Sequence, residues 1–236
     1  MEIIGTALME QTIQSALALL REAAQGFAPA VLASSLGAED MVLLDLIAGA
    51  QLSIAVFTLD TGRLPQETHD LLHRVRQRYR VPLAVLAPDS ADVERYVAAH
   101  GTNGFYDSVA LRQECCHLRK VKLLQRALAG KRAWITGLRR AQSAGRSMVP
   151  VREWDAENGL EKFNPLADWS DSDVAVYLAE HDVPVNALHA QGYPSIGCAP
   201  CTRAVAPGED HRAGRWWWEN PEFGECGLHP RRSRHG

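Results

Sequence analysis

The sequence lacks the features of several protein classes. It has no apolar run of about 18 residues, the length of a transmembrane span, although 46% of its 236 residues are hydrophobic. Its first residues are acidic, with no basic stretch before an apolar one, so we expect no secretory signal. Its 18 glycines and 12 prolines are ordinary counts, which excludes collagenous and disordered chains. We therefore expect a globular, cytoplasmic protein.

The chain also lacks an excess of positive charge. Its 25 Lys and Arg residues face 28 Asp and Glu residues, for a net charge of −3. Proteins that bind nucleic acids or membrane surfaces are usually more basic, so we expect neither as a partner. The terminal run RRSRHG is interpreted as a solvated tail. Any recognition of an anion must therefore be local.

Cysteines are few and odd in number. Without a secretory signal, a disulfide framework is not expected. Five thiols suggest four metal ligands and one free thiol. The five are Cys115, Cys116, Cys198, Cys201 and Cys226.

Apolar, β-branched runs alternate with helical patterns along the first three quarters of the chain. The runs are Ala30–Leu36, Ser53–Asp60, Val81–Ala87 and Arg132–Leu138. The helical patterns are Glu39–Ala48, Glu67–Tyr79, Leu118–Leu128 and Asp171–Glu180, the last with a capping box from Ser170 to Asp173. This alternation predicts an α/β fold with a doubly wound, mostly parallel sheet over residues 1–181. Residues 182–236 show little periodicity and are predicted to form a separate, flexible C-terminal segment.

Two loops follow predicted strands at the same sheet edge. In the first, residues 34–40 (SSLGAED), small residues free backbone amides for an anion, although a simple strand–helix turn is equally compatible. In the second, residues 59–68 (LDTGRLPQET), Gly62 permits a tight turn and Arg63 offers a planar anion-binding fork. Thr61 or Thr68 serving only as a helix cap is the alternative interpretation there.

The adjacent pair Cys115–Cys116 and the CxxC pair of Cys198 and Cys201 indicate a metal site. Zinc is one candidate, although zinc ribbons usually use two CxxC pairs. Adjacent cysteines diverge along a helix and suit a cubane with several irons, so we favour an iron–sulfur cluster over zinc. Its net negative charge would call for nearby cations, and Arg119, Lys120 and Arg203 follow the cysteines closely.

The fifth cysteine is isolated near the C-terminus. Cys226 has His229 three residues later and two arginines upstream, which would lower the pKa of a nucleophilic thiol. A lone cysteine can equally be buried and inert.

Together these segments resemble the assimilatory sulfonucleotide reductases, and within them the iron–sulfur adenylylsulfate (APS) reductases. The resemblance spans Val31 to His229. It rests on SSLGAED, LDTGRLPQET, ECCHLRKVKLL, ITGLRRAQSAGRS, NPLADWSDSDV, GCAPCTRA, GEDHRAGRWWWE and ECGLH. Both cysteine pairs are typical of the branch that contains a cluster and mainly uses APS, although some of its members also accept the 3′-phosphorylated substrate, PAPS.

The first loop resembles the pyrophosphate loop of the ATP pyrophosphatases without its double glycine. The resemblance implies a PP-loop (adenine-nucleotide alpha hydrolase) fold over residues 1–181 and a C-terminal segment that carries CxxC and a mobile catalytic cysteine. The altered loop suits a phosphosulfate and argues against ATP-driven adenylation.

The resemblance also implies roles for individual residues. One [4Fe–4S] cluster would be bound by Cys115, Cys116, Cys198 and Cys201. Lys120 would link cluster and substrate electrostatically, and Cys226 would be the nucleophile beside His229. The nucleotide pocket would be lined by Ser34, Ser35, Leu59 and Gly137. The phosphosulfate would be held by Arg146, Arg212 and Arg215, with Arg63 and Arg139 as additional candidates.

The activity implied is thioredoxin-dependent reduction of APS to sulfite and AMP, through an S-sulfonated cysteine, in sulfate assimilation and cysteine biosynthesis. Three alternatives remain: a cluster-containing reductase that also uses PAPS, an ATP-pyrophosphatase-type adenylating enzyme, and a non-catalytic zinc- or cluster-binding module. The sequence leaves homo-oligomerisation open.

Overall fold

The computed structural model describes residues 2–219 and Leu228. The chain divides into two compact units that interleave along the sequence. The first consists of Met1–Thr58, Gln66–Ala84 and Gly130–Ala187, and the second of Leu59–Pro65, Val85–Ala129 and the chain from Leu188 onward. The predicted functional boundary after residue 181 stays a prediction.

A six-stranded sheet with the order β3-β2-β1-β4-β6-β5 organises the first unit. Strand β1 pairs in parallel with β2 and β4, β4 pairs in parallel with β6, and β5 is antiparallel to β6. The strands are β1 Ala30–Ala33, β2 Ile54–Leu59, β3 Leu83–Leu86, β4 Ala133–Ile135, β5 Arg152–Asp155 and β6 Leu160–Phe163. The predicted fold class, a mostly parallel α/β sheet, is confirmed.

Each unit also contains helices. They are α1 Glu2–Gly26, α2 Ala38–Gly49, α3 Gln66–Arg78, α4 Ser90–His100, α5 Val109–Cys116, α6 Lys122–Leu128 and α7 Asp171–Glu180. The predicted bounds of α7 are confirmed, because Ser170 and Asp173 form the reciprocal capping box. The patterns at α2 and α3 are confirmed to within one residue.

The core of the first unit forms around α2. Four successive residues of this helix are fully buried: Met41, Val42, Leu43 and Leu44. Because successive residues point to different sides of a helix, the helix needs apolar residues on most of its sides. Asp45 lies among these residues, and its carboxylate accepts hydrogen bonds from the Tyr79 and Tyr177 hydroxyls at 2.8 Å each. Those bonds satisfy the polar group where α2, α3 and α7 meet.

The strand order reverses between β1 and β4. The chain runs from β1 out to β3 on one side and returns with β4 on the other. Open α/β sheets bind ligands beyond the carboxyl ends of the strands at such a point. The residues directly beyond β1 and β4 are Ser34–Gly37 and Thr136–Arg139, so the fold brings the first predicted loop and Gly137 to one crevice.

Sequence reasoning missed α1, α4, α5, β5 and β6. The signal for α1 was present, because its buried residues Ala16, Leu20 and Ala23 recur at helical spacing. Strand β5 gave none, because it is an edge strand with charged residues at Arg152, Glu153 and Asp155. Within the described residues, none of the helices has the length and apolar character needed to cross a membrane.

Gly137 generates a prediction about the crevice. A Cβ at this residue would lie 2.6 Å from Asp40 Oδ1 and 2.8 Å from Glu39 Cβ. Gly137→Ala should therefore push the start of α2 away and lower the free energy of unfolding by about 1–3 kcal/mol, the usual range for overpacking. Urea denaturation measures this change. Gly49→Ala is the control, because a Cβ there meets nothing within 4 Å. Equal stability of the two variants would contradict the close approach.

Candidate active site

The two cysteine pairs lie together in the second unit. Cys115 and Cys116 end α5, and Cys198–Cys201 forms a tight turn closed by a 2.9 Å hydrogen bond from Cys201 N to Cys198 O. Three of the thiols are buried and Cys115 is partly buried. They pack in one cluster with Phe105 and Trp216. The structure therefore brings all four predicted ligands together.

A π-helical turn, His117–Val121, follows the first pair directly. This turn joins α5 to α6. The sequence pattern predicts a single α-helix over Leu118–Leu128, but the α-helix begins only at Lys122, after the π turn. Single π turns of this kind are common at functional sites. The turn buries Arg119 and Lys120, two neighbouring residues that are 7% and 9% exposed. A regular helix would separate adjacent side chains by about 100°.

Cationic side chains surround the thiols. Arg63, Arg112, Arg119 and Lys120 line one small pocket together with the four cysteines, Phe105 and Trp216. Arg63 is fixed there by Thr102 O, which accepts a 2.5 Å hydrogen bond, and by the Phe105 ring 4.9 Å away. The main-chain oxygen of Arg63 accepts a 2.8 Å hydrogen bond from Ala199 N, which joins the CxxC turn to the predicted second loop.

The pKa values of the buried thiols are shifted in opposite directions. Burial raises the pKa of Cys201 to about 12, and the neighbouring Cys198 adds to this. Burial would also raise the pKa of Cys198, but Lys120 and a 3.2 Å contact with Thr61 Oγ1 lower it overall. Burial raises the pKa of Cys115, against the opposing effect of Arg119. Cys198 is therefore the thiol that this cation cluster favours as thiolate.

Several buried N–H groups in this unit have no hydrogen-bond partner among the described residues: Arg119 Nε, Arg215 Nε, Trp216 Nε1 and Trp218 Nε1. An unmet buried donor costs about 1–3 kcal/mol, so such groups point to a missing acceptor. Arg119 and Trp216 both line the cysteine pocket. The donor set therefore suits a compact, negatively charged group held by the thiols.

Arg215 approaches the same cysteines. Its guanidinium donates to Ile196 O at 3.3 Å, lies over the Trp216 ring at 4.7 Å, and lowers the pKa of Cys198 together with Lys120. The guanidinium occupies the space that a side chain at residue 197 would need, which explains Gly197. Arg212 lies three residues earlier, where its backbone N donates to Asp210 Oδ1 at 2.8 Å.

The first unit carries a separate polar network beyond β1. Asp40 accepts hydrogen bonds from Ser35 N at 2.6 Å and Ser35 Oγ at 2.7 Å, while Leu36 N donates to Ser34 Oγ at 3.1 Å. Burial raises the pKa of Asp40 to about 6, even though the bonds from Ser35 favour its ionised form. These contacts hold residues 34–37 open in front of α2.

Arg139 is fully engaged by this network. Its guanidinium, 2% exposed, donates to Glu39 at 2.8 Å, to Asp171 at 2.6 Å and to Trp169 O at 3.1 Å. Gln142 also donates to Glu39 and accepts a 2.5 Å bond from Arg146. Arg139 therefore orients the residues beyond β4, and its direct contact with a substrate stays a prediction.

The remaining predicted residues lie as follows. Leu59 is the partly buried last residue of β2. Cys226 and His229 lie outside the described residues. Sequence reasoning missed the buried Arg112, Glu219 and Asp40, because each resembles an ordinary surface charge until its partner is known.

No three His, Cys, Asp or Glu side chains of the described chain are arranged to hold one metal ion. Tetrahedral zinc needs its ligands to converge on one point, whereas a multi-iron cluster accepts thiolates spread over separate corners.

Comparisons with known proteins show the family of this chain. The family model of the phosphoadenosine phosphosulfate reductase domain matches residues 29–204. A protein of Allochromatium vinosum named adenosine 5′-phosphosulfate reductase is 56% identical over 217 residues, covering 92% of this chain and 85% of the relative. A protein of the same name in Neisseria meningitidis serogroup A is 51% identical over 225 residues, covering 95% of this chain and 92% of the relative.

Solved structures add the fold. The phosphoadenylyl-sulfate reductase of Candida auris, in a phosphate complex, superposes with a TM-score of 0.70 at 28% identity, covering 84% of this chain and 96% of that one. An FMN adenylyltransferase of Candida glabrata superposes at 0.59 with 15% identity, covering 96% and 78%, a similarity of fold alone. The chain therefore belongs to the phosphoadenosine phosphosulfate reductase family, with relatives named adenosine 5′-phosphosulfate reductase, and is an enzyme that acts on sulfur compounds.

Proposed function

We propose that this enzyme reduces APS to sulfite and AMP with electrons from a reduced thioredoxin, in sulfate assimilation. The proposal rests on the two cysteine pairs that pack together beside buried N–H donors without a partner in the described chain. It is supported by relatives named for APS reduction, which are about half identical to this chain. Its action in the cytoplasm stays a prediction.

The cysteine pocket fits one [4Fe–4S] cluster. Cys115, Cys116, Cys198 and Cys201 would hold it, and Arg119 and Trp216 carry N–H donors suited to its sulfurs. When bound, the group would supply a fixed negative charge that orients the surrounding cations. Lys120 lines the pocket and is the residue proposed to transmit that charge to the substrate.

The proposed recognition elements are backbone groups for the nucleotide and arginines for the phosphosulfate. In the first unit, the backbone around Ser34, Ser35 and Gly137, at the point where the strand order reverses, suits an adenine nucleotide. Leu59 is proposed to add a backbone contact. In the second unit, Arg212 and Arg215 are proposed to offset the charge of the phosphosulfate, with Arg63 as an additional candidate. Arg146, anchored by Gln142, is a further candidate in the first unit.

The first chemical step is proposed to be a substitution at sulfur. The Cys226 thiolate attacks the sulfur atom of APS, a new S–S bond forms, and the S–O bond to phosphate breaks. AMP leaves with that electron pair, and the cationic side chains compensate its growing charge. Cys226 is left with a sulfonate group, and His229 is proposed to lie beside it.

The second step returns the enzyme to its resting form. A thioredoxin thiolate attacks Sγ of Cys226, sulfite leaves with the electrons of the S–S bond, and a mixed disulfide forms. The second thiol of thioredoxin then attacks the thioredoxin sulfur of this mixed disulfide. Cys226 is released as a thiol and thioredoxin as a disulfide. Thioredoxin is thereby oxidised by two electrons and sulfur is reduced by two.

One comparison tests the proposed activity against its alternatives. Sulfite release is measured with reduced thioredoxin and either APS or PAPS, and pyrophosphate release is measured with ATP. Sulfite from APS supports the proposal, and sulfite from both substrates assigns a dual-substrate reductase. Pyrophosphate release without sulfite would replace the proposal by an adenylating enzyme.

The proposed ligands predict an optical change. The purified wild-type protein should be yellow-brown, with about four irons and a broad band near roughly 400 nm. Cys198→Ser should lose the band and the iron, because one corner of the cluster loses its thiolate. Ser53→Ala, a change outside both cysteine pairs, should retain both. A normal spectrum in Cys198→Ser would disprove the ligand assignment.

The proposed arginines predict weaker substrate binding. Arg212→Ala or Arg215→Ala should each weaken APS binding by about 1.5–3 kcal/mol, the range for hydrogen bonds to charged groups. Calorimetric titration measures the affinity, with Arg95→Ala as a control because Arg95 is 76% exposed on α4. Unchanged affinity in both variants would remove this stretch from the binding site.

The proposed nucleophile predicts a trapped adduct. Enzyme mixed with APS in the absence of a reductant should carry a sulfonate on Cys226, detected by mass spectrometry of the ECGLH peptide. Cys226→Ser should lose turnover while it retains its colour and its APS affinity, because this residue is not a proposed ligand. An adduct on another cysteine, or turnover in Cys226→Ser, would overturn the mechanism.

A further inference from the structure

A buried ion pair joins α5 to the last described turn of the chain. Arg112 Nε donates to Glu219 Oε1 at 2.9 Å, and Arg112 Nη2 donates to Glu219 Oε2 at 2.7 Å. The two side chains are only 1% and 4% exposed. Two parallel bonds between a planar guanidinium and a carboxylate permit essentially one relative orientation.

The same turn is fastened to both cysteine pairs. Arg112 lies one turn before Cys116 on α5, and both residues line the cysteine pocket. Trp216 N donates to Cys201 O at 3.2 Å, and Glu219 N donates to Trp216 O at 2.8 Å. The Arg112 guanidinium also lies 4.9 Å from the centre of the Trp216 ring. The backbone of the turn 216–219 is therefore held by Cys201 of the CxxC pair. Its side chains are held by Arg112, on the helix that carries the other cysteine pair.

Separating this ion pair would be costly. If Glu219 moved away, Arg112 would remain buried without its counter-charge, a change that is strongly destabilising in proteins. The paired state gains much less over an apolar substitute, so such a pair contributes geometry more than stability. Gly214 is part of the same packed stretch, because its carbonyl accepts a 2.9 Å bond from Arg203 N.

We propose that Arg112 and Glu219 are positioning residues, which fix the chain before Cys226 to both cysteine pairs. Cys226 follows Glu219 by seven residues, so the extended chain confines it to within about 25 Å of the fixed carboxylate. Confinement raises the effective concentration of the nucleophile at the substrate. This inference rests on the proposed role of Cys226.

Glu219→Gln tests the inference, because it keeps the shape of the side chain and removes its charge. Hydrogen exchange should become at least tenfold faster at the amides of Trp216 and Glu219, while the amides of α6 stay unchanged. The rate of Cys226 sulfonation in a single turnover at saturating APS should fall at least tenfold. The dissociation constant for APS should change by far less than the sulfonation rate, because Arg215 retains its hydrogen bond to Ile196 O while the nucleophile has lost its anchor.

Glu209→Gln is the matched control. It removes another two-bond Arg–Glu pair from the same stretch, that of Arg203 and Glu209, whose side chains are about one third exposed. This variant should change neither the exchange at residues 216–219 nor the sulfonation rate. If Glu219→Gln fails to fold, Arg112→Lys retains the charge without the fork and should give the same local increase in exchange.

The outcomes separate this inference from the proposed function. Unchanged exchange at residues 216–219, an increase throughout the second unit, or a parallel loss of APS affinity would overturn the positioning role. A wild-type enzyme that forms no sulfonate would overturn the proposed function, and the exchange measurement would then still decide whether the ion pair fixes the turn.

Discussion

Thiols that are buried beside one another cannot all ionise unless positive charge is buried with them. Coulomb repulsion between thiolates is weakly screened in a protein interior, and each thiolate also loses its hydration. The second unit meets this constraint with Lys120 and Arg119 from the π turn and Arg215 from a later segment, all three of which lower the pKa of Cys198. Much of the local architecture follows from the need to bury these cations, including the π turn and the absence of a side chain at Gly197.

The first unit meets the opposite requirement. The loop at residues 34–37 is proposed to receive an anionic nucleotide and would need its backbone N–H groups to be available, yet its neighbours Glu39 and Asp40 are acidic. The structure neutralises Glu39 with Arg139 and Gln142 and turns Asp40 onto Ser35, so neither carboxylate is left without a donor. The acidic residues thus hold the loop through their hydrogen bonds, which explains how an acidic helix start can follow a segment proposed to bind an anion.

Much of the fold was predictable because it depends on local patterns. Four apolar runs gave four parallel strands, and the capping box fixed α7, since both signals lie within a few residues. The cysteine pairs were also predictable, because their spacing is a chemical signature. Arg112 and Glu219 were not predictable, because they are 107 residues apart and each has the composition of a surface charge. The π turn was hidden for a related reason, since its residues have ordinary helix propensity and only the buried cations explain it.

The π turn also determines how the helical segment from 109 to 128 tolerates changes in length. Its extra residue sets the angle at which α5, with its two cysteines, leaves α6. Deleting one residue here would restore a regular helix and rotate one half against the other by about 100°. Substitutions at exposed positions of this segment would leave that angle intact, whereas any single insertion or deletion would turn the cysteines away from their partners. Natural variation in this segment should therefore be confined to residue type, with its length held constant.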